Sequence, residues 1–274
     1  MNPSSPAAGE ALAIETVELT HRFGNYVAVD RLSLRVGSGI VFGLLGPNGA
    51  GKSTTIKMLT TLLPPSSGQA TVAGFDVVAR SRAVRSRIGY VPQMLSADGA
   101  LTGRENLRLS AALYGMDAAE ARSRMADALT FMGLDAFGDK LVKTYSGGMI
   151  RRLELAQAML HQPTVLFLDE PTIGLDPTAR HSVWDRLLEL RDRSGMTILL
   201  TTHDMEEADV LCGELAILHQ GVVAISGKPS ELKAALGARA TLDEVFAHYS
   251  GGSIQESGRY IDVRQARSTA RRLG

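Results

Sequence analysis

The feature that most constrains this chain is one glycine-rich stretch, Gly46-Pro47-Asn48-Gly49-Ala50-Gly51-Lys52-Ser53-Thr54. An apolar run at residues 40–45 precedes it, and a segment of helical composition at 55–62 follows it. Strand, glycine loop and helix in this order form a phosphate-binding P-loop, because successive backbone N–H groups and the positive helix end converge on an anion. Lys52 is expected to reach the terminal phosphates and Ser53 to take a place on a magnesium ion. The stretch predicts a nucleoside triphosphate site, with a chance glycine turn as the alternative.

The composition of the chain limits the kinds of binding partner that can be expected for it. The chain has 274 residues, and its 29 Lys plus Arg equal its 29 Asp plus Glu, so net charge gives no reason to expect nucleic acid or an anionic membrane. The single cysteine, Cys212, excludes an intramolecular disulfide and fits a reducing compartment, where ATP is available. No stretch approaches the roughly 18 to 20 apolar residues that cross a bilayer. We therefore expect any action on a membrane to require a partner chain.

Periodicity predicts the fold class. Alternating apolar residues predict three short strands before the P-loop, at residues 14–20, 27–29 and 32–36. The segment 165–170, an apolar run that ends in two acids, and the segment 197–200 are typical of strands buried on both faces of a parallel sheet. Residues 101–141 carry apolar positions at helical spacing, which form either core or a docking face. We predict an α/β protein: a P-loop NTPase core with a mostly parallel sheet, an N-terminal antiparallel β subdomain and an inserted α-helical subdomain.

Four polar residues follow predicted buried strands, where parallel sheets place their ligands. Asp169 is expected to hold magnesium through water, and Glu170 to orient and deprotonate an attacking water. His203 is placed to hydrogen-bond a terminal phosphate, and Gln93 lies at the same predicted edge. The alternatives are a structural ion pair for the acids, a capped or solvated histidine and a loop glutamine.

Two further features suggest ligand contacts. Phe23, upstream of the P-loop, either stacks on a nucleotide base or belongs to the core. The segment Tyr145-Ser146-Gly147-Gly148-Met149 opens a helical pattern and forms a second anion-binding nest, unless Ser146 is a plain N-cap. One domain has no evident need for two phosphate nests, so the second nest points to a neighbouring molecule.

Together these motifs resemble the ATP-binding subunit of an ABC transporter, over residues 13–250. The matching signals occur in the expected order: the P-loop, Gln93, Ser146-Gly147-Gly148, Asp169-Glu170, Asp176 and His203. The resemblance implies ATP and Mg²⁺ as cofactors and a head-to-tail homodimer, in which the Ser-Gly-Gly nest of one subunit faces the γ-phosphate held by the P-loop of the other. It also implies an integral membrane permease on a separate chain, a peripheral location on the cytoplasmic face of the membrane, and no nucleic acid partner.

The resemblance also implies roles for single residues. Phe23 matches the aromatic position that stacks on adenine, and Asp176 the turn acid at the dimer interface. Gln93 matches the glutamine that senses magnesium and the attacking water and links the site to the permease, and His203 the switch histidine. The helical insert is then the surface that receives a cytoplasmic helix of the permease. The residues expected at the nucleotide are Phe23, Gly46 to Thr54, Tyr145 to Gly148 and Asp176; those at the metal are Ser53, Gln93 and Asp169; the catalytic ones are Lys52, Gln93, Glu170 and His203.

The signature segment departs from the family pattern. The usual sequence is Leu-Ser-Gly-Gly-Gln, whereas here Tyr145 and Met149 flank the intact centre, so binding is expected to survive without any polar contact from the final glutamine. This signature, with Thr-Leu-Asp-Glu-Val-Phe at 241–246, is similar to the drug-resistance exporters typified by daunorubicin and doxorubicin efflux. We expect an ATPase that dimerises around two ATP and powers export of a drug-like or hydrophobic compound. The alternatives are a soluble ABC-type ATPase acting on ribosomes or DNA, a binding module without hydrolysis, and an importer subunit.

The expected domain organisation has three parts. Residues 1–12, rich in Pro, Ala and Ser, form a disordered lead-in; residues 13–237 form the ATP-binding domain, with its helical subdomain at about 98–160; and 238–274 form a C-terminal extension. Late in the extension, apolar residues at helical spacing with arginines on another side predict a short basic amphipathic helix. It is either solvated or in contact with the permease or anionic lipid.

Overall fold

The computed structural model describes residues 11–250. Most of the predicted lead-in, and the basic amphipathic helix predicted beyond Ser257, lie outside the described residues. Among the helices of residues 11–250, none is both long and apolar enough to span a membrane.

The described strands form two sheets. In chain order they are β1 (Leu12–Phe23), β2 (Tyr26–Gly37), β3 (Val41–Leu45), β4 (Ser67–Val72), β5 (Phe75–Asp76), β6 (Ile88–Val91), β7 (Val165–Asp169), β8 (Thr197–Thr202), β9 (Glu214–His219) and β10 (Val222–Gly227). The smaller sheet is antiparallel, with the order β2-β1-β4-β5. The larger sheet has the order β10-β9-β3-β8-β7-β6, and its strands are parallel except for β10 at one edge. The predicted α/β class with an antiparallel N-terminal subdomain is confirmed.

The prediction of two separate strands at 27–29 and 32–36 was wrong. Both belong to β2, which pairs with β1 along its length through several register shifts. Between them Arg31 has a positive φ of 47°. A register shift of this kind disturbs an antiparallel pair only locally, and the pairing continues on either side. The alternation of apolar and polar residues is therefore interrupted in the sequence although the strand continues.

Helices lie around the larger sheet and in the insert. In chain order they are α1 (Lys52–Leu59), α2 (Ser81–Arg85), α3 (Gly103–Leu113), α4 (Ala118–Phe131), α5 (Gly147–Met159), α6 (Pro177–Ser194), α7 (Met205–Leu211), α8 (Pro229–Leu236) and α9 (Leu242–Ser250), with 3₁₀ turns at Asp135–Phe137 and Val142–Thr144. The two helices of the insert begin at side-chain caps: Thr102 forms a capping box with Glu105 at α3, and Asp117 accepts two backbone N–H groups at α4. The predicted helical insert is therefore formed by α3 and α4.

Two apolar clusters fix these layers to one another. One joins the helical insert, α5, α6 and one face of the larger sheet, and the other joins the second face of that sheet to α1 and the smaller sheet. Strand β7 is buried along its whole length because it contributes side chains to both clusters. The strand ends that carry the candidate site are thus held between two packed layers.

The sequence did not predict α8 or α9. At the start of α9 the Thr241 N–H donates to Glu244 Oε2 at 2.9 Å and the Glu244 N–H donates to Thr241 Oγ1 at 3.3 Å, which forms a capping box. Leu242, Val245 and Phe246 of this helix are buried in the same cluster as the insert. The domain boundary at residue 237 stays a prediction, but α9 packs on the described core beyond it.

Replacing Phe246 by Ala tests this packing. We expect Phe246→Ala to lower the free energy of unfolding by about 3 kcal/mol, because it removes a buried aromatic ring and leaves a cavity. Urea denaturation measures the change. The control is Asp243→Ala on the exposed face of α9, which should change stability by less than about 0.5 kcal/mol; equal effects of the two variants would show that α9 does not depend on its buried face.

Candidate functional site

The candidate site is formed where four neighbouring parallel strands end. The P-loop follows β3, His203 follows β8, and Gln93 follows β6. Asp169 is the last residue of β7, and Glu170 comes directly after it. These strands are adjacent in the order β3-β8-β7-β6. Their carboxyl ends therefore share one edge of the sheet, which is where open α/β sheets bind ligands.

The P-loop wraps around the start of α1. Gly51 has a φ of 104°, and a Cβ there would lie 2.5 Å from the carbonyl oxygen of Ala28, so the loop requires glycine at this position. Lys52 Nζ donates to the carbonyl oxygens of Gly46 at 2.7 Å and Pro47 at 3.2 Å. Burial lowers the pKa of Lys52, and the carboxylate of Glu170 partly offsets this. The ammonium group thus lies over the loop that is expected to hold phosphates.

Asp169 accepts two hydroxyl hydrogen bonds on one oxygen. Ser53 Oγ donates to Asp169 Oδ1 at 3.0 Å, and Thr201 Oγ1 donates to the same atom at 2.7 Å. Asp169 and Thr201 are register partners in the parallel pair β7 and β8. Sequence reasoning missed Thr201, because its pairing with Asp169 depends on strand order rather than on any local motif.

Glu170 is the centre of the site. Its Oε1 lies 3.3 Å from Lys52 Nζ, and its Oε2 accepts from Gln93 Nε2 at 3.2 Å and lies 3.3 Å from His203 Nδ1. Its φ is 49°, which is strained for a non-glycine residue, and its N–H donates to Thr201 O at 3.1 Å and Thr201 Oγ1 at 3.0 Å. The structure thus brings three of the residues predicted to be catalytic to the carboxylate of the fourth, Glu170.

Charge coupling fixes the protonation of this cluster. Burial opposes ionisation of Glu170, but the hydrogen bond with His203 and the positive charge of Lys52 outweigh it, so the pKa of Glu170 lies below its usual value. The same hydrogen bond raises the pKa of His203. Glu170 is therefore ionised at neutral pH, which is the state that a general base requires.

A cavity of about 350 Å³ lies beside the P-loop. Its lining includes Phe23, the loop residues from Asn48 to Thr54, Gln93 and Glu170. The Phe23 ring is 52% exposed and packs edge-on against His21, so it is not a core residue. Tyr26, which the sequence reasoning did not single out, also lines the cavity and is exposed.

The signature segment lies outside the P-loop cavity of this chain. Ser146 is exposed and accepts the Met149 N–H at 3.3 Å as the N-cap of α5, so the alternative of a plain cap is observed and the anion-binding nest stays a prediction. Gly147 is exposed as well, whereas a Cβ on Gly148 would lie 2.7 Å from Ala179 Cβ, so this glycine permits α5 to approach α6. Among the described residues that line the P-loop cavity, none comes from 145–148.

Tyr145 differs from the prediction. The sequence reasoning grouped it with the nucleotide-binding residues, but its side chain is buried in the helical insert, where the hydroxyl donates to the Phe137 carbonyl at 2.7 Å and the ring packs edge-on against Phe137. The side chain is large and apolar enough to be held by the core of the insert. Tyr145 therefore anchors the start of the signature segment to the core of the insert, and its hydroxyl donates to a backbone carbonyl of the insert.

Asp176 caps the helix next to the signature segment. Its Oδ1 accepts the Ala179 N–H at 3.0 Å at the start of α6, and the residue is exposed. A Cβ on Gly147 would lie 3.2 Å from Leu175, so the Asp176 turn and the signature segment are neighbours. Both are exposed, and neither lines the P-loop cavity of the described chain.

Comparison with known proteins identifies the family. The family model described as ABC transporter matches residues 29–173, and a model for an AAA domain matches residues 141–209. A daunorubicin/doxorubicin resistance ATP-binding protein of Streptomyces peucetius is 49% identical over 225 residues, covering 82% of this chain and 68% of the relative. The chain belongs to the ABC transporter family.

Other relatives agree with this assignment. A Nod factor export ATP-binding protein of Sinorhizobium fredii is 47% identical over 81% of this chain and 64% of the relative. A solved ATP binding subunit of an ABC transporter superposes with a TM-score of 0.77 at 31% identity, covering 87% of this chain and 99% of that one. A component of an ABC transporter complex from Clostridium perfringens gives a TM-score of 0.75 at 28% identity, covering 81% and 91% of the two chains.

One buried group of this ABC transporter domain was missed by sequence reasoning. Glu207 of α7 is 1% exposed, and its Oε1 accepts from Thr172 Oγ1 at 2.7 Å and from Trp184 Nε1 at 3.0 Å. It thereby joins the segment after Glu170, the helix after Asp176 and the helix after His203. Burial raises the pKa of Glu207, although these hydrogen bonds act in the opposite direction. A glutamate inside a short helix carries no local signal of this role.

The raised pKa of Glu207 predicts a pH dependence of stability. Above the ordinary glutamate value of 4.5, the unfolded chain releases this proton before the folded chain does, so wild-type stability falls as pH rises toward the folded pKa. Glu207→Gln keeps an acceptor oxygen and carries no charge. We expect its melting temperature to rise relative to wild type as pH increases from about 5 to 8. Thermal unfolding at several pH values measures this.

Glu206→Gln on the exposed side of α7 is the matched control. Its difference from wild type should stay constant over the same pH range. A pH-independent difference for Glu207→Gln would contradict the raised pKa.

Proposed function

We propose that this chain is the ATP-hydrolysing subunit of an exporter, which pairs with a second copy around two ATP molecules and drives a permease on a separate chain. Membership of the ABC transporter family supports ATP binding and hydrolysis. The observation that carries the mechanism is the convergence of Lys52, Gln93 and His203 on Glu170 beside the P-loop cavity.

The nucleotide is proposed to lie in the P-loop cavity. Phe23 offers an exposed ring for stacking on adenine, an interaction worth about 1 to 3 kcal/mol for a base on an aromatic side chain. Between Gly46 and Thr54, the residues other than Pro47 carry backbone N–H groups that can be offered to the phosphates. Lys52 supplies a positive charge that balances the γ-phosphate, since its Nζ already lies over the loop.

The oxygen atoms around Asp169 fit a magnesium ion. Mg²⁺ in nucleotide sites is held by one or two carboxylate or hydroxyl groups together with phosphates and water, and Ser53 Oγ and Asp169 Oδ1 lie 3.0 Å apart. These two residues would hold the ion, with Gln93 at the edge of the same site. When bound, the ion neutralises charge that develops on the β- and γ-phosphates.

Hydrolysis requires an activated water. Glu170, ionised and fixed by its own backbone hydrogen bonds, is proposed to accept the proton of the attacking water, which is typically worth about 10² to 10⁴-fold in rate. The side-chain amide of Gln93 and the imidazole of His203 orient this carboxylate from its Oε2 side. His203, half exposed, can then turn to the γ-phosphate when ATP is present.

A second copy completes the site. The signature segment and the Asp176 turn are exposed together and do not line the P-loop cavity of their own protomer. A helix N-terminus with exposed backbone donors favours an anion, and the γ-phosphate of ATP on the partner copy supplies one. ATP then favours the closed homodimer, and hydrolysis removes the phosphate that joins the two halves.

Glu170→Gln tests the general base and the dimer together. We expect it to form a stable dimer with Mg·ATP and to hydrolyse ATP about 10² to 10⁴-fold more slowly, because it keeps the shape of the site and loses the proton acceptor. Light scattering after size exclusion, with phosphate release, measures both. Glu206→Gln should behave as wild type. A monomeric Glu170→Gln chain with wild-type turnover would refute both assignments.

The permease is proposed to dock on an apolar groove beside the insert. A groove of about 430 Å³ runs between the ends of α1 and β6 and the helices α3 and α5. Leu62, Leu113 and Tyr114 on its walls are exposed, as are Met94 and Leu95 nearby. An apolar helix of a membrane partner fits such a surface, because exposed apolar patches mark protein contacts.

The relatives suggest the cargo and the location. Two of the similar proteins are named for daunorubicin resistance or Nod factor export, which supports a drug-like or hydrophobic compound as cargo. Pairing with a permease places the chain at the cytoplasmic face of the membrane as a peripheral subunit, and no nucleic acid partner is part of this proposal.

Leu113→Glu tests the docking groove. We expect this variant of the tagged chain to lose a polytopic membrane protein that co-purifies with wild type from gently solubilised native membranes, because the charge cannot be buried in an apolar contact. Its ATPase activity as an isolated chain should stay within about twofold, since a surface substitution away from the P-loop is usually mild. Mass spectrometry identifies the partner.

Val17→Glu, an exposed apolar position of β1, is the control and should retain the membrane protein. If both variants retain it, the groove is not the contact. Recovery of ribosomal or DNA-repair proteins instead would overturn the transporter role.

A further inference from the structure

An ion pair with no assigned role is buried near the start of α5. Arg151 Nη1 lies 2.9 Å from Glu154 Oε2, and both side chains are 2% exposed. Burying two charges costs free energy unless their remaining polar atoms are satisfied. The other buried positions of this helix are Gly148, Leu153, Leu155, Ala156 and Ala158, so the pair is an exception in an otherwise small and apolar face.

Both charged side chains hydrogen-bond to a single loop. Arg151 Nη1 donates to the Pro92 carbonyl at 2.8 Å, and Arg151 Nη2 donates to the Gln93 carbonyl at 2.9 Å. Glu154 Oε1 accepts from the backbone N–H and, at 3.1 Å, the hydroxyl of Ser96, and from the Ala97 N–H at 3.3 Å. The ion pair therefore holds residues 92–97, here called the Gln93 loop, at both ends.

The middle of the Gln93 loop has little packing of its own. Met94 is 82% exposed, and Leu95 is exposed as well. Segments with few buried apolar contacts open locally at low free-energy cost. The hydrogen bonds that Arg151 donates to the loop and Glu154 accepts from it are consequently a main restraint on where the loop lies.

This restraint joins three parts of the molecule. The loop carries Gln93, whose side chain donates to Glu170. Helix α5 begins at Ser146 of the signature segment. Ser96 and Glu154 themselves line the apolar groove beside the insert. A segment that enters this groove would touch the hydrogen bonds that fix Gln93.

We propose that Arg151 and Glu154 are a positioning pair, which fixes the Gln93 loop and thereby holds Gln93 against Glu170. The effect on catalysis rests on the proposed function, whereas the restraint on the loop stands without it. An arginine suits the task, since its planar guanidinium presents N–H donors on two nitrogen atoms in fixed directions toward the two carbonyl groups, whereas a lysine has a single ammonium on a flexible stem.

The test uses the full chain with a spin label on Met94→Cys. The native Cys212 is buried, and burial raises the pKa of its thiol, so the label reacts at residue 94. In the nucleotide-free chain, we expect Arg151→Lys to increase label mobility. In the unlabelled chain it should lower kcat for ATP about 10 to 100-fold and leave KM within about twofold, because the P-loop is untouched while a catalytic group is misplaced.

Arg152→Lys is the matched control. Arg152 is adjacent on α5 and also donates to a carbonyl, that of Met132 at 2.8 Å, but it does not contact the Gln93 loop. It should leave label mobility and kcat at wild-type values. If Arg151→Lys does not fold, Glu154→Asp shortens the other side of the restraint and should free the loop in the same way.

The outcomes separate the two proposals. Unchanged mobility in Arg151→Lys, or an equal change in Arg152→Lys, overturns the positioning role. Increased mobility in Arg151→Lys alone, in a chain that shows no ATP hydrolysis even as wild type, supports the restraint and refutes the proposed function instead. Increased mobility with an unchanged kcat overturns the link from the loop to Glu170.

Discussion

The site depends on the parallel pairing of β3, β8, β7 and β6. Residues of the candidate site lie at the carboxyl end of each of these strands. Because the strands are adjacent and parallel, these ends share one edge of the sheet. The register pairs Asp169 with Thr201 and Leu45 with Thr202, which sets the P-loop, the acidic residues and His203 side by side. Because β7 is buried on both faces, the carboxylates at its end cannot shift without disturbing two packed clusters.

Within this frame the charges compensate one another. Lys52 and Glu170 are both buried, and burying either charge without the other would cost free energy. Together with His203 and Gln93 they form a connected cluster that keeps Glu170 ionised and fixed in place. The strained backbone of Glu170 is tolerated because Thr201 accepts its N–H twice. The carboxylate proposed as the general base is thus held in its ionised state by its own surroundings.

Hydrogen bonds of buried side chains also link the site to more distant parts of the chain. Helix α5 connects the exposed signature segment at its start with the Gln93 loop through Arg151 and Glu154. On the other side, Glu207 ties the segment after Glu170 to the helices that follow Asp176 and His203. Both connections use buried ionisable side chains that hydrogen-bond to other segments of the chain, which restrains the arrangement of those segments more than apolar packing alone would.

The sequence by itself determined the P-loop, the α/β class, the helical insert and the residues that meet at Glu170, because glycine spacing, periodicity and strand-end polar residues are local signals. It also indicated that the signature nest serves a neighbouring molecule, which stays a proposal. Only the tertiary structure decided the roles of Thr201, Glu207, Arg151 and Glu154, the burial of Tyr145 and the packing of α9 on the core. Those depend on which strands and helices become neighbours, and pairing between residues far apart in the chain leaves no local pattern.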